Sequence, residues 1–199
     1  SYRDYLKVDE VLRLQVPLAS PPVHDELLFI IIHQAYELWF KEILHDADAA
    51  VAAMEADDPR TALHLVRRSG LIQKHLVAQI HLMEAMTPMD FLRFREKLKP
   101  ASGFQSVQFR EVEVALGVRN REILNAFEGD AEATRQLSLR WNRPSLRDAF
   151  LALLRRHGFH IPDGDGGKAE RVQSLLRLYL EPHRYWDLYQ LAEALLLGG

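Results

Sequence analysis

Pro21-Pro22 and Pro59 bracket a stretch of helical periodicity, and no other feature restricts the fold of this chain so strongly. From about Asp25 to Met54 the pattern predicts one long helix, with Phe29, Ile32, His33, Tyr36, Phe40 and Leu44 on a broad apolar stripe. Asp57-Asp58-Pro59 ends it and opens a second long helix to about Met86, with Asp58 as N-cap and Pro59 in the first helical position. At 1.5 Å per residue such helices reach roughly 40 Å, more than a small domain needs, so an oligomer that shares its core is expected.

Shorter helices surround this pair. Asp9 is placed as the cap of a short first helix through Val11, Leu12 and Leu14. Thr87-Pro88-Met89-Asp90 opens another, a threonine cap followed by proline and an acid, carrying Phe91, Phe94, Arg95 and Leu98. Lys99 to Gly103 reads as a loop and Phe104 to Leu116 as a helix. Asn142-Arg-Pro144 is expected to open a helix to about His157, and Pro162 to Gly167 reads as a surface loop. Helices over about Lys168–Leu180 and Pro182–Leu197 complete an all-α, long-helix bundle. Internal repeats and interdomain linkers are not evident, so residues 1–199 are expected to form a single all-helical domain.

With 48% hydrophobic and 27% charged residues the composition is that of a globular protein. A net charge of −3 gives no general attraction for nucleic acid or anionic lipid. The absence of cysteine excludes disulfides, thiolate metal sites and a cysteine nucleophile. Ser1 to Lys7 holds no apolar signal core, and the uncharged run from Leu27 to Tyr36 is about half of a membrane span. A soluble, cytoplasmic protein with no membrane or nucleic-acid partner is the expectation.

Phe29 and His33 lie four residues apart, so on a helix they share a face at roughly 6 Å between Cβ atoms. A ring and an imidazole facing one space suit a flat aromatic ligand; a satisfied core histidine is the plainer reading. Arg95 shares a face with Phe91, and a guanidinium is a natural clamp for a carboxylate, although Arg93, Arg95, Lys97 and Lys99 also make a simple basic face. Ser102-Gly103 permits close backbone approach to a ligand, or merely punctuates two helices. The lone Glu42-Ile-Leu-His45 element falls short of a di-iron set, and Gly164 to Lys168 lacks the spacing of a phosphate loop.

Together these segments say more than each alone. His24-Asp-Glu, Phe29-Ile-Ile-Ile-His33-Gln-Ala-Tyr-Glu-Leu-Trp-Phe40, Phe91-x-x-Phe-Arg95 and Pro100-Ala-Ser-Gly-Phe-Gln-Ser106 follow one another in an order that resembles the tryptophan 2,3-dioxygenase family. The opening Tyr2-Arg-Asp-Tyr5 and the late Pro182-His-Arg-Tyr-Trp-Asp-Leu-Tyr-Gln-Leu-Ala-Glu193 extend the resemblance to about Leu197. It implies an all-helical homotetramer, a dimer of intertwined dimers, that uses haem b and O2 to cleave the indole C2–C3 bond of L-tryptophan to N-formylkynurenine, a step of tryptophan catabolism by the kynurenine route. It further implies that His33 is the distal histidine facing the indole N–H, and that Phe29, with Ile30, Ile31 and Ile32 beside it, walls the indole pocket. Arg95 holds the substrate carboxylate. Phe91 stands where some members carry a tyrosine, so one hydroxyl is missing here. Ser102 and Gly103 sit near the haem, and Tyr2 and Tyr5 close the neighbouring subunit's site. In the family the axial histidine of the iron comes beyond the position of Gly199. The resemblance therefore assigns no metal ligand within the chain, and the 199 residues by themselves are expected to be catalytically incompetent. The alternatives are a related haem oxygenase acting on another aromatic amino acid, and a non-catalytic helical assembly that has lost haem binding.

Overall fold

A computed structural model describes residues 1–98, 105–125, 127, 129–162 and 168–197. Among these, every regular element is helical: α1 (Tyr2–Leu6), α2 (Val8–Val11), α3 (His24–Glu55), α4 (Pro59–Glu84), α5 (Pro88–Leu98), α6 (Val107–Leu116), α7 (Glu122–Asn125), α8 (Ala131–Trp141), α9 (Leu146–Arg156), α10 (Lys168–Leu180) and α11 (Trp186–Leu197). No helix among the described residues is long and apolar enough to cross a membrane. The chain divides into two compact units, Ser1–Trp39 with Leu76–Ser106 and Phe40–His75 with Val107–Gly199, so α3 and α4 each contribute to both.

The long helices begin where their caps are written. The Asp58 carboxylate accepts the Thr61 amide at 3.0 Å, closing one of the orphan donors at the start of α4. Thr87 Oγ1 accepts the Asp90 amide at 3.1 Å and donates to the Asp90 carboxylate at 2.7 Å, which fixes the start of α5. Within the first unit, the Tyr36 hydroxyl on α3 donates to the Leu76 carbonyl on α4 at 2.7 Å.

The second unit holds the larger core. Along α9, Leu146, Ala149, Phe150, Leu153 and Leu154 are all buried, the i, i+3, i+4, i+7, i+8 stripe of an amphipathic helix. α6 packs chiefly on α8, and Ile123, Phe127, Ala133 and Leu137 form one cluster with Val107 and Leu124 at its edge. Gly117 ends α6 at φ +106°, where the Val118 amide reaches back to the Glu113 carbonyl at 2.9 Å; a Cβ there would be strained by that φ and would stand 3.0 Å from Arg147 Cβ. Enclosed charge is paired: Asp46, 0% exposed, takes both arms of Arg68, and Arg140 is held by Asp48 with Glu111 at 3.9 Å.

Several boundaries depart from the expectation. Asp9 does not cap the first helix: Ser1 does so for α1, in a reciprocal pair with Asp4, and Asp9 lies inside α2, beyond which residues 14–19 are non-helical. α6 begins at Val107 rather than Phe104. α9 is opened not by Asn142 but by Ser145, whose hydroxyl and Asp148 carboxylate cap one another's amides. α11 starts at Trp186, four residues after Pro182. α7 and α8 had no counterpart in the sequence reading, although Asp130 is a strong cap, accepting the Glu132 and Ala133 amides at 3.1 and 3.0 Å.

Candidate functional site

The helical spacing of Phe29 and His33 places both side chains on one face of α3. Their ring centroids lie 4.0 Å apart with planes tilted by 34°. His33 Nδ1 is 2.8 Å from the Phe29 carbonyl oxygen, one turn back. A carbonyl only accepts, so Nδ1 carries the proton of that bond, and in the neutral ring Nε2 is left as an acceptor. Among the described residues nothing donates to Nε2. The half-buried imidazole thus presents a lone pair, and a ligand with an N–H donor complements it.

α5 supplies the rest. Phe91 and Phe94 stand at 6.0 and 5.4 Å from the Phe29 ring and meet each other edge to face at 5.5 Å and 90°. Such ring pairs contribute about 0.5–1.5 kcal/mol each beyond the area they bury. Phe94 is 0% exposed and anchors the group, while Phe29 and Phe91 keep part of their faces open. The Arg95 guanidinium lies over the Phe91 ring at 5.8 Å and makes no hydrogen bond or ion pair with another described residue. An exposed cation held by stacking keeps its hydrogen-bonding fork available for a carboxylate. A flat wall, an acceptor for an N–H and a cation for a carboxylate therefore occur together within the first unit.

The other expected residues are placed less uniformly. Ile30 is half-buried on the neighbouring row of α3. Ile31 is 47% exposed and projects about 160° around the helix from His33. Ile32 is buried in the core. Tyr2 and Tyr5 are 76% and 86% exposed, and α1 and α2 contain no buried residue. Ser102 and Gly103 lie outside the described residues. Sequence reasoning assigned no site role to Phe94, whose i+3 spacing from Phe91 was the available signal, or to Glu26, an acid in the first turn of α3 that is 1% exposed. No group of three metal-ligating side chains occurs among the described residues.

The family model described as tryptophan 2,3-dioxygenase matches residues 1–134, which include all of these positions. The chain belongs to the tryptophan 2,3-dioxygenase family. It is 47% identical over 176 residues to the tryptophan 2,3-dioxygenase of Herpetosiphon aurantiacus, an alignment that covers 88% of this chain and 67% of the relative. To the enzyme of the same name from a Nocardioides species it is 44% identical over 201 aligned positions, covering 98% and 74%. With the tryptophan 2,3-dioxygenase of Caulobacter vibrioides the identity is 40% over 204 positions, covering 98% and 77%.

Tryptophan 2,3-dioxygenases are haem-dependent, and the described side chains fit the flat aromatic N–H donor that would lie beside the haem. The Phe29–Phe91–Phe94 wall is apolar, and the bare Nε2 of His33 is a hydrogen-bond acceptor rather than an already satisfied core nitrogen. A porphyrin would itself supply most of the iron's donor atoms, so a cluster of several metal-ligating side chains is not required of the described residues.

Proposed function

We propose that the chain is a tryptophan 2,3-dioxygenase, inserting both atoms of O2 across the indole C2–C3 bond of L-tryptophan to give N-formylkynurenine. Family membership supports the reaction, and the observation that carries it to these residues is the grouping of Phe29, His33, Phe91 and Arg95. Haem, when bound, supplies O2 activation, which amino-acid side chains alone do not provide. The family resemblance assigns Ser102 and Gly103, which lie outside the described residues, to its binding.

The chain's own side chains bind and orient. The bare Nε2 of His33 accepts the indole N–H, which sets the face of the ring that is presented for reaction; this is a positioning contact and does not require removal of the proton. Phe29 and Phe91 lie against the indole and keep water from it, with Ile30 at their border. Arg95 takes the substrate carboxylate in two parallel hydrogen bonds, fixing the amino-acid end and thereby the register of the ring. Ile31 and Ile32 support the helix from other faces. Tyr2 and Tyr5, with the exposed Leu6, Val11 and Leu12, suit a segment covered by a second copy, in a homotetramer whose N-terminal segments close the neighbouring sites.

Haem-loaded protein that includes the family's iron-ligating histidine, given L-tryptophan under isotopically labelled O2, tests this reading. The expected product is N-formylkynurenine carrying both labelled oxygens. Turnover of another aromatic amino acid in place of L-tryptophan would move the assignment to a related oxygenase. Absence of any ligated haem spectrum under all loading conditions would replace it with a non-catalytic helical assembly.

A further inference from the structure

Residues 14–19 are not helical, yet they are fastened to α3 at two points. The enclosed carboxylate of Glu26 accepts the Leu18 amide at 2.7 Å and the Ala19 amide at 3.0 Å, one through each oxygen. Two turns along α3, the Gln34 side chain donates to the Leu14 carbonyl at 3.0 Å and accepts from Gln15 Nε2 at 2.5 Å, and Gln15 also donates to the Val11 carbonyl at 3.0 Å.

The two clamps match in length. Four residues of extended chain, from 14 to 18, span about 13 Å. Eight residues of helix, from 26 to 34, rise about 12 Å. An extended strap running antiparallel to α3 therefore satisfies both at once. Glu26, Ile30 and Gln34 are spaced i, i+4, i+8 and form one row, and the adjacent row carries Phe29 and His33. The row that holds the strap therefore lies next to the row that carries the two rings.

Apolar burial does not hold it there. Leu14, Val16 and Leu18 are each more than 60% exposed. Glu26, by contrast, gives up its hydration to make two charge-assisted bonds to the strap backbone, a costly arrangement unless those bonds are kept. The position of the strap is therefore set by polar side chains on α3.

We propose that Glu26 and Gln34 are positioning residues for the tryptophan site, clamping residues 14–19 along α3 as the side wall next to Phe29 and His33. This rests on the proposed reading of that face as the indole site. Loss of the clamp leaves the reacting groups in place but opens one side of the pocket, so it weakens substrate capture more than the chemical step.

The test combines residue-resolved hydrogen exchange with kinetics on haem-loaded protein. In the parent protein the Leu18 and Ala19 amides should exchange far more slowly than that of Val16, which makes no hydrogen bond among the described residues. Glu26→Gln keeps one acceptor oxygen and should release one of the two amides. Glu26→Ala should release both, with the amides of Leu44 and Ala47 in α3 unchanged. KM for L-tryptophan should rise about tenfold in Glu26→Ala with kcat within about twofold, and Glu26→Gln, which keeps one of the two bonds, should lie between it and the parent. Gln34→Ala, which releases the other end and leaves Glu26 intact, should raise KM in the same direction. Fast exchange of Leu18 and Ala19 in the parent would overturn the clamp. A released strap with unchanged KM would reduce Glu26 to a structural role. Slow exchange in a protein that does not turn over L-tryptophan would overturn the positioning role through the failure of the functional reading, and the two failures are thereby told apart.

Discussion

Arg68 and Arg95 are treated by the chain in opposite ways. Arg68, in the second unit, meets Asp46 through two of its nitrogens, with Glu42 at 3.8 Å, and Asp46 is fully enclosed. Arg95, in the first unit, lies over a phenylalanine ring and has no acidic partner among the described residues. Enclosed charge in the second unit is neutralised by the chain itself, as Arg140 with Asp48 repeats. In the first unit a cation and a histidine acceptor are left open beside a wall of rings. The contrast separates charge that serves folding from charge reserved for a ligand, and substitutions can be chosen to test each half.

Phe94→Ala should have the largest effect, because this fully enclosed ring belongs to both categories, core and site. It should cost about 4 kcal/mol of stability, as measured by urea unfolding, and also weaken L-tryptophan binding in the protein that remains folded. A loss of stability with binding intact would uncouple the aromatic anchor from the pocket. Arg68→Ala should follow at about 3 kcal/mol, since it strands the Asp46 carboxylate, with Tm falling by about 10 °C and tryptophan affinity unchanged. A comparable loss of affinity would show that the two units are not energetically separable in this way.

Smaller effects come from the helix cap at α9. Burial pushes the Asp148 carboxyl up, but the Ser145 amide and hydroxyl, with Arg119 and Arg147 nearby, outweigh it and hold the group below the usual aspartate range. A depressed folded-state value means that this stabilisation is complete above the ordinary aspartate pKa and is lost as pH falls through the depressed one. Asp148→Asn should therefore cost about 1 kcal/mol at neutral pH and flatten that acid limb of the stability profile. Glu111 acts with the opposite sign. Burial raises it despite the attraction of Arg140, so its contribution to stability declines as pH rises from the ordinary glutamate value through the raised one. Denaturant titrations of Glu111→Gln against pH should lack that decline.

Legibility from sequence followed the range of the interactions. α3, α4, α5 and α10 were predicted close to their ends because caps and prolines are local signals: Asp58-Pro59 and Thr87-Pro88 state their own geometry. α8 is equally local, opened by Asp130, whose cap is its clearest signal. At α9, Asn142 with a proline two residues later mimics a helix start, whereas the reciprocal Ser145–Asp148 pair satisfies two amides at once. At the site, the pairs Phe29–His33 and Phe91–Arg95 could be read from i, i+4 spacing. The 6.0 Å approach of Phe29 to Phe91 could not, since 62 positions separate them and only tertiary packing joins α3 to α5. The family resemblance supplied that link. Glu26 illustrates the limit: an acid near a helix start is ordinarily a macrodipole partner, and nothing local announces that its bonds go to residues 18 and 19.

The most direct measurement of the central claim compares L-tryptophan with tryptamine, which keeps the indole and lacks the carboxylate, in titrations of haem-loaded protein and its Arg95→Ala variant. The account predicts that the parent prefers L-tryptophan by about 100-fold and that the variant loses this preference with its Tm unchanged, the scale of truncating one side of a hydrogen-bonded charge pair. A variant that still discriminates L-tryptophan from tryptamine as strongly as the parent would contradict it, and would return Arg95 to the plain basic face of α5.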